Sequence, residues 1–294
     1  SGNLNLGIPG IMYVGGICGV IGAFFYEQAV PADQMSGFLA IMIPMLCSLL
    51  GSLLMGLLYC FLTVTLRANQ NVTGLALTIF GTGVGQYIGE IMRIREGGFV
   101  AVGNDLKAVF ISSPFPQAMQ DIPYVGKILF GNSIFFYLGV VLAIVMHLFL
   151  NKSRTGLQLR SVGESPATAD AAGINVSRYR YLGAGISAVG GMVYITTIAG
   201  CVWNHEGLSG VGWLAVALVI FCLWRPLSAI WGSVLFGALM ILYLRLTIPF
   251  IPTQLYKILP YVVTLVVLII VSLRKKREDQ PPTSLGLNYF REDR

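Results

Sequence analysis

Phe38-Leu-Ala-Ile-Met-Ile-Pro44-Met-Leu-Cys-Ser-Leu-Leu-Gly51-Ser-Leu-Leu-Met-Gly56-Leu-Leu-Tyr-Cys-Phe-Leu-Thr-Val-Thr-Leu66 runs for 29 residues without a charged side chain. A helix of about 20 apolar residues crosses the hydrocarbon of a bilayer, so this stretch can span it with tilt. Pro44 removes one backbone donor within it and is a candidate kink. Comparable apolar stretches lie at 7–26, 70–92, 128–150, 181–203, 208–224, 226–248 and 256–273. The segment 208–224 is short for a full crossing. The pattern predicts an all-α, polytopic transmembrane helix bundle of about eight spans.

Composition agrees. Hydrophobic residues make up 55% of the 294 positions and charged residues 11%, where soluble domains carry about 25% charged. Such a chain cannot clothe itself in a water-facing surface. Its charges gather in islands at 93–127, 151–180 and 274–294. The net charge of +6 would suit nucleic acid in a soluble chain. Here the basic residues stand at span ends, where they hold loops in the cytoplasm, so membrane lipid is the expected partner and nucleic acid is not.

Orientation follows from the same residues. Lys152, Arg154, Arg160, Arg178 and Arg180 make loop 151–180 cytoplasmic, and Arg274, Lys275, Lys276 and Arg277 do the same for the tail. Four spans separate the two islands, so the parity is consistent. Counting back places 93–127 outside, Arg67 inside and the acidic 27–37 loop outside. The chain divides into a transmembrane domain, 1–273, and a basic cytoplasmic tail, 274–294.

Glycine is abundant, with 35 residues. Gly81, Gly85 and Gly89 fall four apart, as do Gly183, Ser187 and Gly191. In lipid such ridges let helix backbones approach closely. Cys18, Cys47, Cys60, Cys201 and Cys222 are scattered and form no CxxC pair, so no metal site or disulfide framework is expected. No Gly-x-x-x-x-Gly-Lys loop, His-Glu-x-x-His or Gly-x-Ser-x-Gly is present. Covalent catalysis is therefore not expected, and no catalytic residue or cofactor is assigned to this chain.

Loop 151–180 carries the most local information. Ser165 suits an N-cap, Pro166 the first helical position and Gly173 the residue beyond a helix end, with an alanine-rich stretch between them. A helix of two turns, Ser165–Ala172, is predicted. So short a helix is marginal alone and needs a surface, the bilayer or another protein, to dock against.

The run Gly156-Leu-Gln-Leu-Arg160-Ser-Val162-Gly163-Glu164-Ser-Pro166-Ala-Thr-Ala169-Asp170-Ala-Ala-Gly173-Ile174 resembles the cytoplasmic coupling loop of the binding-protein-dependent permeases for branched-chain amino acids, simple sugars and nucleosides. Asn5-Leu-Gly7-Ile-Pro9-Gly10-Ile-Met12 resembles that family's helix opening, with Pro9 where an acidic residue is usual. Arg67-Ala-Asn69 with Val72-x-Gly74-Leu-Ala-Leu77 resembles its turn between spans. The opening motif follows an earlier helix in the family, so a preceding native span is expected. Ile122-Pro-Tyr-Val-Gly126 and Arg160-Ser-Val-Gly-Glu164 are most similar to the nucleoside-importer branch.

The resemblance implies a type II ABC importer-like permease in a bacterial inner membrane. A second, different permease chain, cytoplasmic ATPase subunits that bind ATP and Mg, and an extracytoplasmic solute-binding lipoprotein would complete it. It assigns Arg160, Gly163, Glu164, Pro166, Asp170 and Gly173 to ATPase coupling and Asn5 to the substrate pathway. A nucleoside-like solute is expected, with a simple sugar or riboflavin-like nutrient as the alternative.

Polar residues inside the spans complete the pathway candidates. Gln86 and Glu90 lie four apart on one helix face. An ionisable group at that depth either faces a water-filled route or pairs at the interface, here with Arg93 or Arg95. Trp203, Asn204 and His205 could stack on and hydrogen-bond a ring-bearing solute, or form an interfacial aromatic belt. A proton-coupled secondary transporter using Glu90 is the alternative of another class.

Overall fold

Pro9 opens the first helix. Its missing N–H falls where the first turn has no acceptor to offer, and Ile8–Ala29 (α1) follows. The computed structural model describes residues 2–31, 34–95, 102–123, 126–184, 202–203, 210–245, 258–274 and 281–290. Among these the ordered elements are helices. Helix α2, Gly37–Cys60, continues through a π-helical turn, Phe61–Thr65, and keeps Pro44 buried within it. Arg67 closes this long helix at φ 55, a left-handed position more often held by glycine. The Asn69 side chain then accepts from the backbone N–H groups of Asn71 and Val72, starting α3, Gln70–Arg95.

Three short helices, α4 (Asn104–Ile111), α5 (Gln117–Gln120) and α6 (Gly126–Phe130), precede α7, Ile134–Lys152. The loop folds as α8 (Arg154–Glu164), α9 (Pro166–Ala171) and the first turn of α10 (Val176–Ala184). Then come α11 (Val211–Phe221), α12 (Pro226–Arg245) and α13 (Leu259–Arg274).

Ile8–Ala29, Gly37–Thr65 and Ile134–Lys152 are long and apolar enough to cross a membrane, and three shorter apolar helices lie at Val211–Phe221, Pro226–Ile241 and Leu259–Ile270 among the described residues. With 11 residues, Val211–Phe221 rises only ~16 Å, about half a hydrocarbon core. The expected span 70–92 forms as a helix, but its threonines, glycines, Gln86 and Glu90 make it less apolar than the others. Most of the expected span 181–203, with Ser187 and Gly191, lies outside the described residues.

Large apolar side chains cover the outside. Leu54 is 70% exposed, Ile79 74% and Trp231 79%. Water would not tolerate so much exposed apolar surface, and lipid or an apolar partner would. Inside, hydroxyls are satisfied along their own helices: Ser52 donates to Ser48 O at 2.7 Å, Thr63 to Tyr59 O at 2.7 Å and Thr264 to Pro260 O at 2.8 Å.

By backbone proximity the chain forms two units, Asn3–Gly139 with Arg180–Gly212, and Ser1–Gly2 with Val140–Tyr179 and Trp213–Arg294. In the first, α1 is the axis, packed on α2 and α3. Its glycine notches are filled reciprocally. A methyl on Gly22 would meet Cys47 Sγ at 2.8 Å, and one on Gly51 would meet Cys18 Sγ at 2.7 Å. These cysteines act as small packing residues, and the described ones are free thiols.

Glu27, at the end of α1, accepts from Gly103 N at 2.8 Å and so caps α4. The loop 27–37 and the segment from residue 102 therefore share one end of the unit. At the other, Thr65 and Tyr181 hydroxyls lie 2.5 Å apart.

Candidate functional site

Helix α3 buries Gln70, Thr73, Gly74, Leu77, Gly81, Gly85, Gly89 and Met92, a continuous stripe at helical spacing. Each glycine of the predicted ridge has an occupant. A methyl on Gly81 would strike the backbone of Gly10, and one on Gly89 would strike the Trp203 indole N–H. At Gly85 it would touch Tyr13 at 3.1 Å and Trp203 at 3.5 Å. The indole of Trp203 thus lies in a notch made by Gly85 and Gly89. Tyr13 closes on it edge to face, ring centroids 6.2 Å apart and planes 82° apart. Trp203 is buried in this unit.

Gln86 and Glu90 follow Gly85 and Gly89 along the helix by one residue each, so both point off the buried stripe and are exposed on the chain's own surface. Glu90 forms a two-pronged pair with Arg93, at 2.5 and 2.8 Å, with both side chains 53% exposed. Asn204 and His205 lie outside the described residues.

The approach to α1 is held by side chains. Leu4 N donates to Gln70 Oε1 at 2.7 Å, Leu4 O accepts from the Tyr59 hydroxyl at 2.7 Å, and Leu6 O from Thr78 at 2.9 Å. Asn5 accepts from Gly7 N at 2.9 Å, an Asx turn leading into the helix. Pro9 is buried, and a methyl on Gly212 would meet its ring at 2.6 Å.

In the other unit, Ser153 caps α8 by accepting from Gly156 N at 2.9 Å. Gly156 lets α8 cross close to α7, since a methyl there would strike the Phe149 backbone. Arg160 donates back to Asn151 Oδ1 at 2.7 Å. Helix α9 has the ends that its sequence predicts: Ser165 is the N-cap and Pro166 opens the first turn. Gly173 takes φ 81, its N–H bonds to Asp170 O at 3.0 Å and Ile174 N to Ala169 O at 3.0 Å. These two bonds make a Schellman cap. Ala167, Thr168, Ala171, Ala172 and Gly173 are exposed, a small-residue face open to a partner.

Residues 1–268 match the family of the branched-chain amino acid transport system permease component. The chain belongs to that family. It is a transport component, not an enzyme, and a multi-pass protein of the inner membrane that works with ATPase and solute-binding subunits. The permease is 31% identical to the guanosine ABC transporter permease protein NupQ of Bacillus subtilis (strain 168), over 81% of this chain and 72% of that protein. It is 32% identical to the nucleoside ABC transporter permease protein NupC of Lactococcus lactis subsp. cremoris, over 99% of this chain and 89% of that one. A Haloferax volcanii ABC transporter permease protein whose name gives glucose as a provisional substrate is 32% identical over 83% of this chain and 70% of its own. No solved structure matches the permease.

Several of the permease's anchoring residues carry no signal in the sequence. Gln70, buried at the start of α3, reads as an ordinary polar residue after a turn, and Tyr59 as one more apolar position in a span. Tyr13 likewise lies in a run of buried residues. The tail shows the largest such gap. Thr283 donates to Glu164 Oε2 at 2.8 Å, Ser284 N to Gly163 O at 3.1 Å and the Ser284 hydroxyl to Glu164 O at 3.1 Å. Tyr289 donates to Asp170 Oδ2 at 2.7 Å. The surface on which α9 rests is thus the permease's own α8 and tail, where the sequence pointed to lipid or another protein.

Proposed function

We propose that this permease pairs with a second, different permease chain and forms with it the route for a nucleoside-like solute. Solute arrives from an extracytoplasmic binding lipoprotein. Loop 151–180 engages the ATPase subunits in the cytoplasm, where the C-terminus also lies, and these subunits bind the ATP and Mg. Closure of the ATPases then displaces the helices flanking that loop and favours one access state over the other. The observation that carries the coupling half is the exposed face of α9, a short helix with both ends capped on a basic loop. Two relatives named for guanosine and for nucleosides support the substrate half.

Within the first unit, the route is proposed along the side of α3 that carries Gln86 and Glu90, with Trp203 behind it in the glycine notch and Asn204 and His205 at its outer mouth. Asn5 belongs to the same set. Hydrogen-bonding groups there would discriminate against solutes that leave them unpaired. The test is ATP-driven uptake of labelled guanosine by the complete importer, with competition by other nucleosides, glucose and riboflavin. Competition by nucleosides alone supports the reading. Competition by glucose in preference favours the sugar alternative, which the Haloferax relative supports.

A further inference from the structure

Helix α9 has six residues and cannot persist on its own propensity. What holds it is a cluster with one buried residue from each of three segments: Val162 of α8, Ala169 of α9 and Val176 at the start of α10. Tyr289 packs its ring against that cluster and sets its hydroxyl on Asp170. Earlier in the tail, Thr283 and Ser284 bind the end of α8 through the Glu164 carboxylate and the Gly163 and Glu164 carbonyls. Gly286 N also donates to Gly2 O at 2.9 Å. The contacts therefore span both helices and the turn between them, and they leave Ala167, Ala171 and Ala172 exposed.

We infer that tail residues 283–289 are a permanent clamp that makes α8 and α9 move as one body, with Tyr289 as the positioning residue that acts through Asp170. This rests on the reading of the loop as the ATPase coupling surface. A lever transmits displacement only if it is stiff, and two short helices joined at Ser165 would otherwise flex at that joint. The clamp crosses the joint with a bond on each side. It does not compete with the ATPase, because the open face of α9 stays free.

The experiment measures solute taken up per ATP hydrolysed by the complete importer in proteoliposomes, for Tyr289→Phe, Asp170→Ala and the double variant. Each single change deletes the same hydrogen bond and should lower the ratio by about two- to five-fold. The double variant should cost no more than Asp170→Ala alone, because Asp170→Ala already removes the hydrogen bond that Tyr289→Phe deletes. A second arm places cysteines at Thr283 and Glu164, with the natural cysteines changed to alanine, and bridges them with a short thiol cross-linker. The cross-linked importer should keep the uptake of its unlinked form. Loss of uptake on cross-linking would mean a latch that has to open, and overturns the inference, as does failure of the two thiols to bridge. An unchanged ratio in Tyr289→Phe overturns it too. Gly173→Val separates this from the parent reading. An unchanged ratio there removes the loop from coupling, whereas a collapsed ratio there beside a normal Tyr289→Phe rejects the clamp alone.

Discussion

Gly81 lies directly against the carbonyl of Gly10, leaving no room for a side chain between α1 and α3. Both partners are backbone, so neither can swing aside. Gly81→Val should therefore force the helices apart at a cost of about 1–3 kcal/mol or more. The expected result is a fall in monodisperse importer yield and in its thermal midpoint. Gly83→Val is the control, because a methyl at Gly83 meets nothing within 4 Å. Equal loss in both variants would contradict the packing.

The Gly89 notch gives a milder version. Gly89→Ala should displace the Trp203 indole while the rest of α3 stays in place. Uptake should fall several-fold with little loss of complex, measured as transport rate per purified importer. Trp203→Ala should lower uptake similarly, and the two changes together should not add.

What was legible in the sequence was whatever a local rule dictates. Ser165, Pro166 and Gly173 end α9 because capping is chemistry within a few residues. The ridge of Gly81, Gly85 and Gly89 announced a close approach, since small residues at that spacing leave a groove along one face. It did not announce what would fill it, because Gly10 lies 71 positions from Gly81 and Trp203 lies 114 from Gly89. The tail was legible only as charge. Tyr289 and Asp170 are 119 residues apart, and a lone tyrosine in a polar tail carries no pattern that names its partner. Gln70 was hidden for the same reason: its role comes from the Leu4 backbone, and backbone has no sequence signature.

Glu90 separates two roles. Its pair with Arg93 is half exposed, so it contributes only about 0–1 kcal/mol to stability. Glu90→Gln should therefore leave importer yield unchanged. Uptake should nevertheless drop several-fold, and Gln86→Leu should do the same. A protonophore should not reduce uptake while ATP is supplied. Collapse under protonophore would point to a proton-coupled transporter instead.

Sidedness is testable by thiol labelling in the cysteine-free background. Ser112 and Pro281 are exposed and lie in different islands. Ser112→Cys should react with an impermeant maleimide in intact cells, and Pro281→Cys only after permeabilisation. Labelling of both from one side would break the topology.

Gly173 offers the most direct test of ATP coupling through α9. At φ 81 a valine is strained by about 1–3 kcal/mol and the Schellman cap is lost, whereas asparagine tolerates that conformation. The measurement is nucleoside-stimulated ATP hydrolysis by the importer reconstituted with its ATPase and binding subunits. Stimulation should be abolished in Gly173→Val, with membrane insertion intact, and largely retained in Gly173→Asn. Full stimulation in Gly173→Val would contradict the account.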